Sequence, residues 1–319
     1  MRIRTAGLTF MNICLFSHFD AVNYVARHVF KYVEALAASG FRIHFVTTCS
    51  NLPLPQRERL EEVCASFAMR ANRGFDFGSW QYALRHHPDI LMASEVLLAN
   101  DSVYLVGDIA ATIARARTFA CDVVGLTDST AHAWHLQSYF LLFKTARAIR
   151  ELLPTHLSSE FAEMSKRELI EAGEIGFGRR LVRGNYKAAA VFPFSSFDRG
   201  RYLRPRNPTH FYWDRLLKNG FPFVKVELLR DNPAHIDITT WRDRVPDVAI
   251  IEEHLRAVGR PDKRTPRFLK RRVLTQLVRQ TSESVIDATP IGRLGLRLVR
   301  RCQRAIGDRQ WRLTPRDHP

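Results

Sequence analysis

Apolar positions along the chain switch between two periods. Residues 13–17 form a short apolar block that predicts a buried strand. Residues 23–39 carry Val25, Val29, Val33, Leu36 and Ala37 at helical spacing, up to a stop at Gly40. Residues 42–48 alternate apolar and polar as a second strand, which completes one strand–helix–strand unit. The pattern predicts a charged helix over 56–67, a short strand over 67–70, and a helix over 77–86 with Asp76 as its N-cap. A buried strand over 95–99 stops abruptly at Asn100-Asp101-Ser102. Beyond it the pattern gives a helix over 109–118, strands over 122–126 and 138–143, and helices over 145–153 and 158–172. A glycine-rich stretch over 173–184 and mixed segments to about 237 follow. Such alternation predicts an α/β fold, a mostly parallel sheet flanked by helices. From Pro261 the character changes to Arg-rich segments with interleaved Leu and Val, expected to be helical.

The 319 residues are 46% hydrophobic, enough to bury a large core. No apolar run approaches the roughly 20 residues that span a bilayer, so no transmembrane helix is expected. The apolar stretch near the N-terminus is interrupted by Asn12, Ser17, His18 and Asp20, which argues against a secretory leader and for a cytoplasmic protein. Five scattered cysteines (Cys14, Cys49, Cys64, Cys121, Cys302), never in a CxxC pair, read as reduced core residues. The formal charge is +16, of which +11 falls from Arg260 onward, where sixteen Lys or Arg face five acids. The chain therefore divides into an α/β domain over 1–255 and a basic tail over 256–319.

Four places carry candidate chemistry. Asn72-Arg73-Gly74-Phe75-Asp76-Phe77-Gly78-Ser79-Trp80 is a loop and helix start that suits a phosphate or ribose, and equally a tight turn with a capped helix. Asn100-Asp101-Ser102 ends a central strand, where open α/β sheets bind ligands. Its carboxylate and neutral oxygens can hold Mg²⁺ or Mn²⁺, with a donor diphosphate completing the shell. His132, His135 and Gln137 lack the spacing of a zinc site and suit hydrogen bonding to a polyhydroxylated molecule. Glu174, near the glycine-rich stretch, reads either as a surface carboxylate or as one placed to take a proton from an attacking hydroxyl.

Several segments, in order, carry a resemblance: His18-Phe19-Asp20, residues 72–80, Leu97 to Tyr104, Gly125-Leu126-Thr127, His135 to Phe140, Glu174-Ile175-Gly176, Phe221 to Lys225 and Leu228 to Pro233. Together they resemble the rhamnan synthesis protein F family of polysaccharide-assembly glycosyltransferases. The same order resembles the wider GT-A nucleotide-sugar transferases. The resemblance implies a GT-A-like, Rossmann-type sheet, with Asn100-Asp101-Ser102 where the DxD element lies and Glu174 as the base. Only one acid, Asp101, stands at the DxD place. Donor contacts would come from His18, Asp20, Asn72, Gly74, Asp76, Asn100, Ser102, Lys225 and Arg230, with Asp101 as donor or metal ligand. Lys225 and Arg230 offer positive charge to a leaving diphosphate. His135, Gln137 and Tyr139 would face the acceptor. The implied donor is a nucleotide-activated deoxysugar such as dTDP-rhamnose, and the implied acceptor a growing saccharide or a polyprenyl-linked one.

The basic tail suits an anionic membrane surface, where each basic residue contributes about 1 kcal/mol, which places the protein peripherally on the inner face of the plasma membrane. Two rival readings remain at this stage: an inactive, transferase-like saccharide-binding partner, and a nucleic-acid binder. The second is disfavoured because the basicity is confined to the tail.

Overall fold

The structure, a computed structural model, describes residues 11–130, 133–197 and 207–258. His132, Cys302 and nearly all of the basic tail lie outside the described residues. Seven strands form the central sheet: β1 (Asn12–His18), β2 (Phe41–Thr47), β3 (Ser66–Met69), β4 (Glu95–Asn100), β6 (Val123–Gly125), β9 (Phe140–Phe143) and β10 (Ala188–Ala190). Their order across the sheet is β10-β6-β9-β4-β1-β2-β3. All neighbours run parallel except at β9, which is antiparallel to both β4 and β6. The mixed α/β fold with a mostly parallel sheet is thus the one the periodicity predicts. Two small antiparallel pairs stand apart from it: β5 (Val103–Leu105) with β11 (Phe223–Lys225), and β7 (Asp128–Ser129) with β8 (His135–Leu136).

Alternation along β1 divides the core. Cys14 and Phe16 join one apolar cluster with Val29, Val33 and Leu36 of helix α1 (Arg27–Ala38). Ile13 and Leu15 join the opposite cluster, under Phe77, Trp80 and Ala83 of a helix over Phe75–His86. Each fully buried Leu, Ile, Val or Phe stabilises by about 1.5–3 kcal/mol, so the sheet is held from both faces. Helix α1 stops as its sequence predicts. Ser39 closes the last turn, and Gly40 follows at φ +88°, a backbone setting that favours glycine. Cys14, Cys49 and Cys64 are free and buried, and Cys121 is free and half-buried.

The registers decide where the polar strand ends meet. Ser17 of β1 pairs with Asn100 of β4, and His18 pairs with Thr47 of β2. The carboxyl ends of three adjacent parallel strands therefore finish at one level, at the centre of the sheet.

One expectation needs correction, and one unassigned stretch gains its structure. Asp76 does not cap the Phe75–His86 helix: Gly74, at φ +75°, precedes its first turn, and the Asp76 carboxylate turns toward the sheet. The glycine-rich stretch is helical. Lys166–Leu169 opens with a Ser165/Glu168 capping box, Ile170–Ile175 is wound as a π-helix, and Gly176–Arg183 returns to α. Its glycines serve close packing. A Cβ on Gly173 would lie 2.4 Å from the Phe77 ring, and one on Gly178 only 2.3 Å from the Trp134 carbonyl oxygen. Backbone cannot yield as a side-chain tip can. Gly178→Ala should therefore cost about 2–3 kcal/mol, read as a Tm lowered by roughly 5–10 °C in thermal unfolding.

Candidate active site

At the end of β4, Asn100 is 3% exposed and hydrogen-bonded on both sides. Its Nδ2 donates to Asp76 Oδ2 at 2.7 Å, and Ser17 Oγ donates to Asp76 Oδ1 at 3.0 Å. Asn100 Oδ1 accepts from the Ser102 hydroxyl at 2.6 Å and from its backbone N–H at 3.2 Å. Ser102 Oγ in turn accepts from Lys225 Nζ at 2.9 Å. Lys225 reaches this point because β11 pairs with β5 in a register that sets it opposite Val103. Its ammonium sits 4.1 Å from the centre of the Tyr139 ring.

Asp101 turns the other way. Its Oδ2 accepts from the Phe19 backbone N–H at 3.0 Å and lies 3.9 Å from His18 Nε2. Burial, then the nearby Asp76 charge, raises its carboxyl to about 8. Burial also raises Asp76. His18, bonded through Nδ1 to Thr47 Oγ1 at 2.9 Å, is lowered to about 3 by burial, so its imidazole is neutral at physiological pH. Asp20 Oδ1 accepts from the Val22 N–H at 2.8 Å, and its Oδ2 lies 3.9 Å from His254 Nε2. His254 also bonds Tyr104 OH at 2.7 Å.

Glu174 projects from the π-helical stretch. Its Oε1 accepts from the Ser138 hydroxyl at 2.6 Å and from the Ser138 N–H at 3.2 Å, and its Oε2 is 3.9 Å from His135 Nε2. Its side chain remains 20% exposed, open enough for a ligand to reach. Gln137 and Tyr139 meet at Thr127: the Thr127 hydroxyl donates to Gln137 Oε1 at 2.6 Å and lies 2.6 Å from Tyr139 OH. Gln137 Nε2 donates to Asn207 Oδ1 at 3.3 Å. Tyr139 is buried, so it bears on the site through its ring beneath Lys225.

Most of the residues expected from sequence thus gather at one end of the sheet. Two stand aside. Arg230 is paired with its neighbour Asp231 at 2.8 Å, and Asn72 is exposed on the loop before Gly74. Ser17, Thr127, Ser138 and His254 belong to the cluster without having been singled out as ligands. Ser138 had a signal, its place between Gln137 and Tyr139; His254 had none, because only the packing of its helix on α1 brings it here. A recess of about 310 Å³ lined by Val106, Asp108, Arg115, Phe192, Phe221 and Arg244 shares none of these residues. The candidate site is marked out by its polar groups at the strand ends, not by cavity size.

An open, mostly parallel sheet with polar groups gathered at the carboxyl ends of its central strands defines an α/β architecture whose ligands bind at that edge. The chain belongs to the rhamnan synthesis protein F family, whose model matches residues 43–289. It is 28% identical over 202 residues to the virulence protein VirA of Vibrio anguillarum, an alignment that covers 54% of this chain and 65% of VirA. The chain therefore spans just under two-thirds of that relative's length. Among solved structures, it is similar to the mannosyltransferase PcManGT from Pyrobaculum calidifontis in complex with GDP-Man and Mn²⁺. The TM-score is 0.39 at 10% identity, over 90% of this chain and 83% of that one. It is also similar to the glycosyltransferase GlyE of Streptococcus pneumoniae TIGR4, with TM-score 0.36 at 11% identity, over 79% and 65% of the two chains.

Proposed function

We propose that the protein is a nucleotide-sugar glycosyltransferase of the GT-A type. It moves rhamnose or a related deoxysugar onto a growing surface polysaccharide or a lipid-linked saccharide. One observation carries this reading: a donor-side cluster (Asp76, Asn100, Asp101, Ser102, Lys225) and an independently held carboxylate, Glu174, converge at the carboxyl edge of one sheet. Membership of the rhamnan synthesis protein F family supports it.

In the transfer, an acceptor hydroxyl gives its proton to Glu174 as its oxygen bonds the anomeric carbon. The bond from that carbon to the diphosphate breaks, and the nucleoside diphosphate leaves with the electron pair. Ser138 fixes one carboxylate oxygen of Glu174 and leaves the other to receive the proton.

Asp101 is the residue that would hold Mg²⁺ or Mn²⁺. Among the described residues no three His, Cys, Asp or Glu side chains are grouped to hold a metal, so diphosphate and water oxygens would supply most of its shell. When bound, such an ion would polarise the departing diphosphate.

No helix among the described residues is long and apolar enough to cross a membrane. In this reading the basic tail, outside the described residues, holds the protein on an anionic surface near a lipid-linked acceptor.

The test is nucleoside-diphosphate release from a panel of nucleotide-sugars, with and without saccharide and polyprenyl-linked acceptors. Release from one donor, stimulated by one acceptor, is expected. Tight saccharide binding without release from any donor would replace the transferase with an inactive binding partner.

A further inference from the structure

Lys225 is a half-buried ammonium without an acid of its own. Among the described residues no carboxylate lies within 4.0 Å of its Nζ, and its one hydrogen-bond partner is the neutral Ser102 hydroxyl. An ammonium has three N–H donors, so bonding to Ser102 leaves two. Other basic groups around the sheet are committed. Lys31 is paired with Asp247 and donates to the Leu105 carbonyl. Lys144 donates to the carbonyls of Ala116, Arg117 and Phe119, and Arg230 pairs with Asp231.

Keeping a charge partly out of water costs free energy that only a partner can offset. Here the offset is diffuse. Burial lowers Lys225 to about 8, while Glu174, Asp76, Glu227 and Asp101, acting at a distance, hold it up. The Tyr139 ring beneath it is the one other direct support. A cation fixed this way, on a paired strand beside the Asn100-Asp101-Ser102 turn, is set to receive an anion.

The neighbouring carboxylates leave few oxygens for a metal to do the same work. Both Asp76 oxygens are occupied by Ser17 and Asn100, and Asp101 Oδ2 is taken by the Phe19 N–H. We infer that Lys225 is the built-in counter-charge of the donor's diphosphate, so that the nucleotide binds without an obligatory divalent cation. This inference rests on the transferase reading and gives its donor site a chemistry. As the bond from the anomeric carbon to the diphosphate oxygen breaks, the negative charge gained by the leaving group falls beside the Lys225 ammonium. The acceptor's proton passes separately to Glu174.

Calorimetric titration of the full chain with UDP, GDP and dTDP, in chelator and then with Mn²⁺, tests this. One nucleotide should bind in chelator within about threefold of its affinity with Mn²⁺. Lys225→Met should weaken it by about tenfold or more, as expected on losing a charge-assisted contact. Lys225→Arg, which keeps the charge, should lose less, and Lys218→Ala, on the surface, should change nothing. Melting curves of the two Lys225 variants guard against misfolding. Binding that appears only with Mn²⁺, or that survives Lys225→Met unchanged, overturns the inference and leaves the transferase standing. Failure of all three nucleotides under every condition overturns both.

Discussion

Glu174→Gln should fold normally and lose about 10²- to 10⁴-fold in kcat, the range general-base catalysis supplies. The substitution preserves shape and the acceptor oxygen. A glutamine carbonyl can still take the Ser138 hydroxyl at 2.6 Å and the Ser138 N–H at 3.2 Å, so the π-helical stretch keeps its anchor. What disappears is the ability to accept a proton. The loss should therefore fall on kcat, with donor KM within about threefold, since the donor-side groups come from other elements. Ser138→Ala supplies the internal control. It leaves the base in place but removes one of its two fixed contacts, and should cost about tenfold, in line with a hydrogen bond to a charged group. Nucleoside-diphosphate release measured against acceptor concentration separates these effects. Equal activity of Glu174→Gln and the unmodified protein would remove Glu174 from the chemistry, whatever its position.

The sequence made the site's location legible because strand ends are local signals. A run of apolar residues that breaks at Asn100-Asp101-Ser102 marks both a buried strand and the edge where its ligand should lie. The same logic found β1, whereas His18 came forward only with the family resemblance. It failed in two instructive ways. Glycines at 173, 176, 178 and 184 left that stretch without an assigned element, since composition cannot distinguish a glycine needed for chain reversal from one needed for close approach. Here Gly173 and Gly178 admit Phe77 and Trp134, and the helix passes through. Asp76 looked like a cap because it precedes a helix. Its actual partners, Ser17 and Asn100, are 59 and 24 residues away, and only the β1–β4 register joins them. Long-range pairing also explains why His254 and Asp20 were not linked in advance: they lie far apart in the chain and meet across a helix packing contact.

Asp101→Asn should make the protein more stable and less active at once. The folded protein raises this carboxyl to about 8 from its ordinary 3.8, chiefly by burial and then by Asp76. A raised acid binds its proton more tightly when folded than when unfolded, so ionising it weakens folding progressively as pH climbs from about 4 to about 8. Below that window the carboxyl is protonated in both states and asparagine offers no advantage. Above it the full cost is present, and asparagine avoids it while its carbonyl still accepts the Phe19 N–H now held at 3.0 Å. The side chain is 19% exposed, so water offsets part of the penalty, and a gain of about 1–3 kcal/mol is expected. Thermal unfolding of the two proteins side by side should show Tm values that coincide near pH 4 and separate by roughly 3–8 °C at pH 8. Turnover measured at pH 8 to 9, where the carboxyl of the unmodified protein ionises, should move the opposite way, falling by about 10²-fold, because a neutral amide cannot ionise there and is a poorer ligand for a hard cation. A variant that gained stability yet kept full turnover would reduce Asp101 to a tether for the loop after β1. Stability gained where activity is lost is instead the signature of a charge held in place for a ligand.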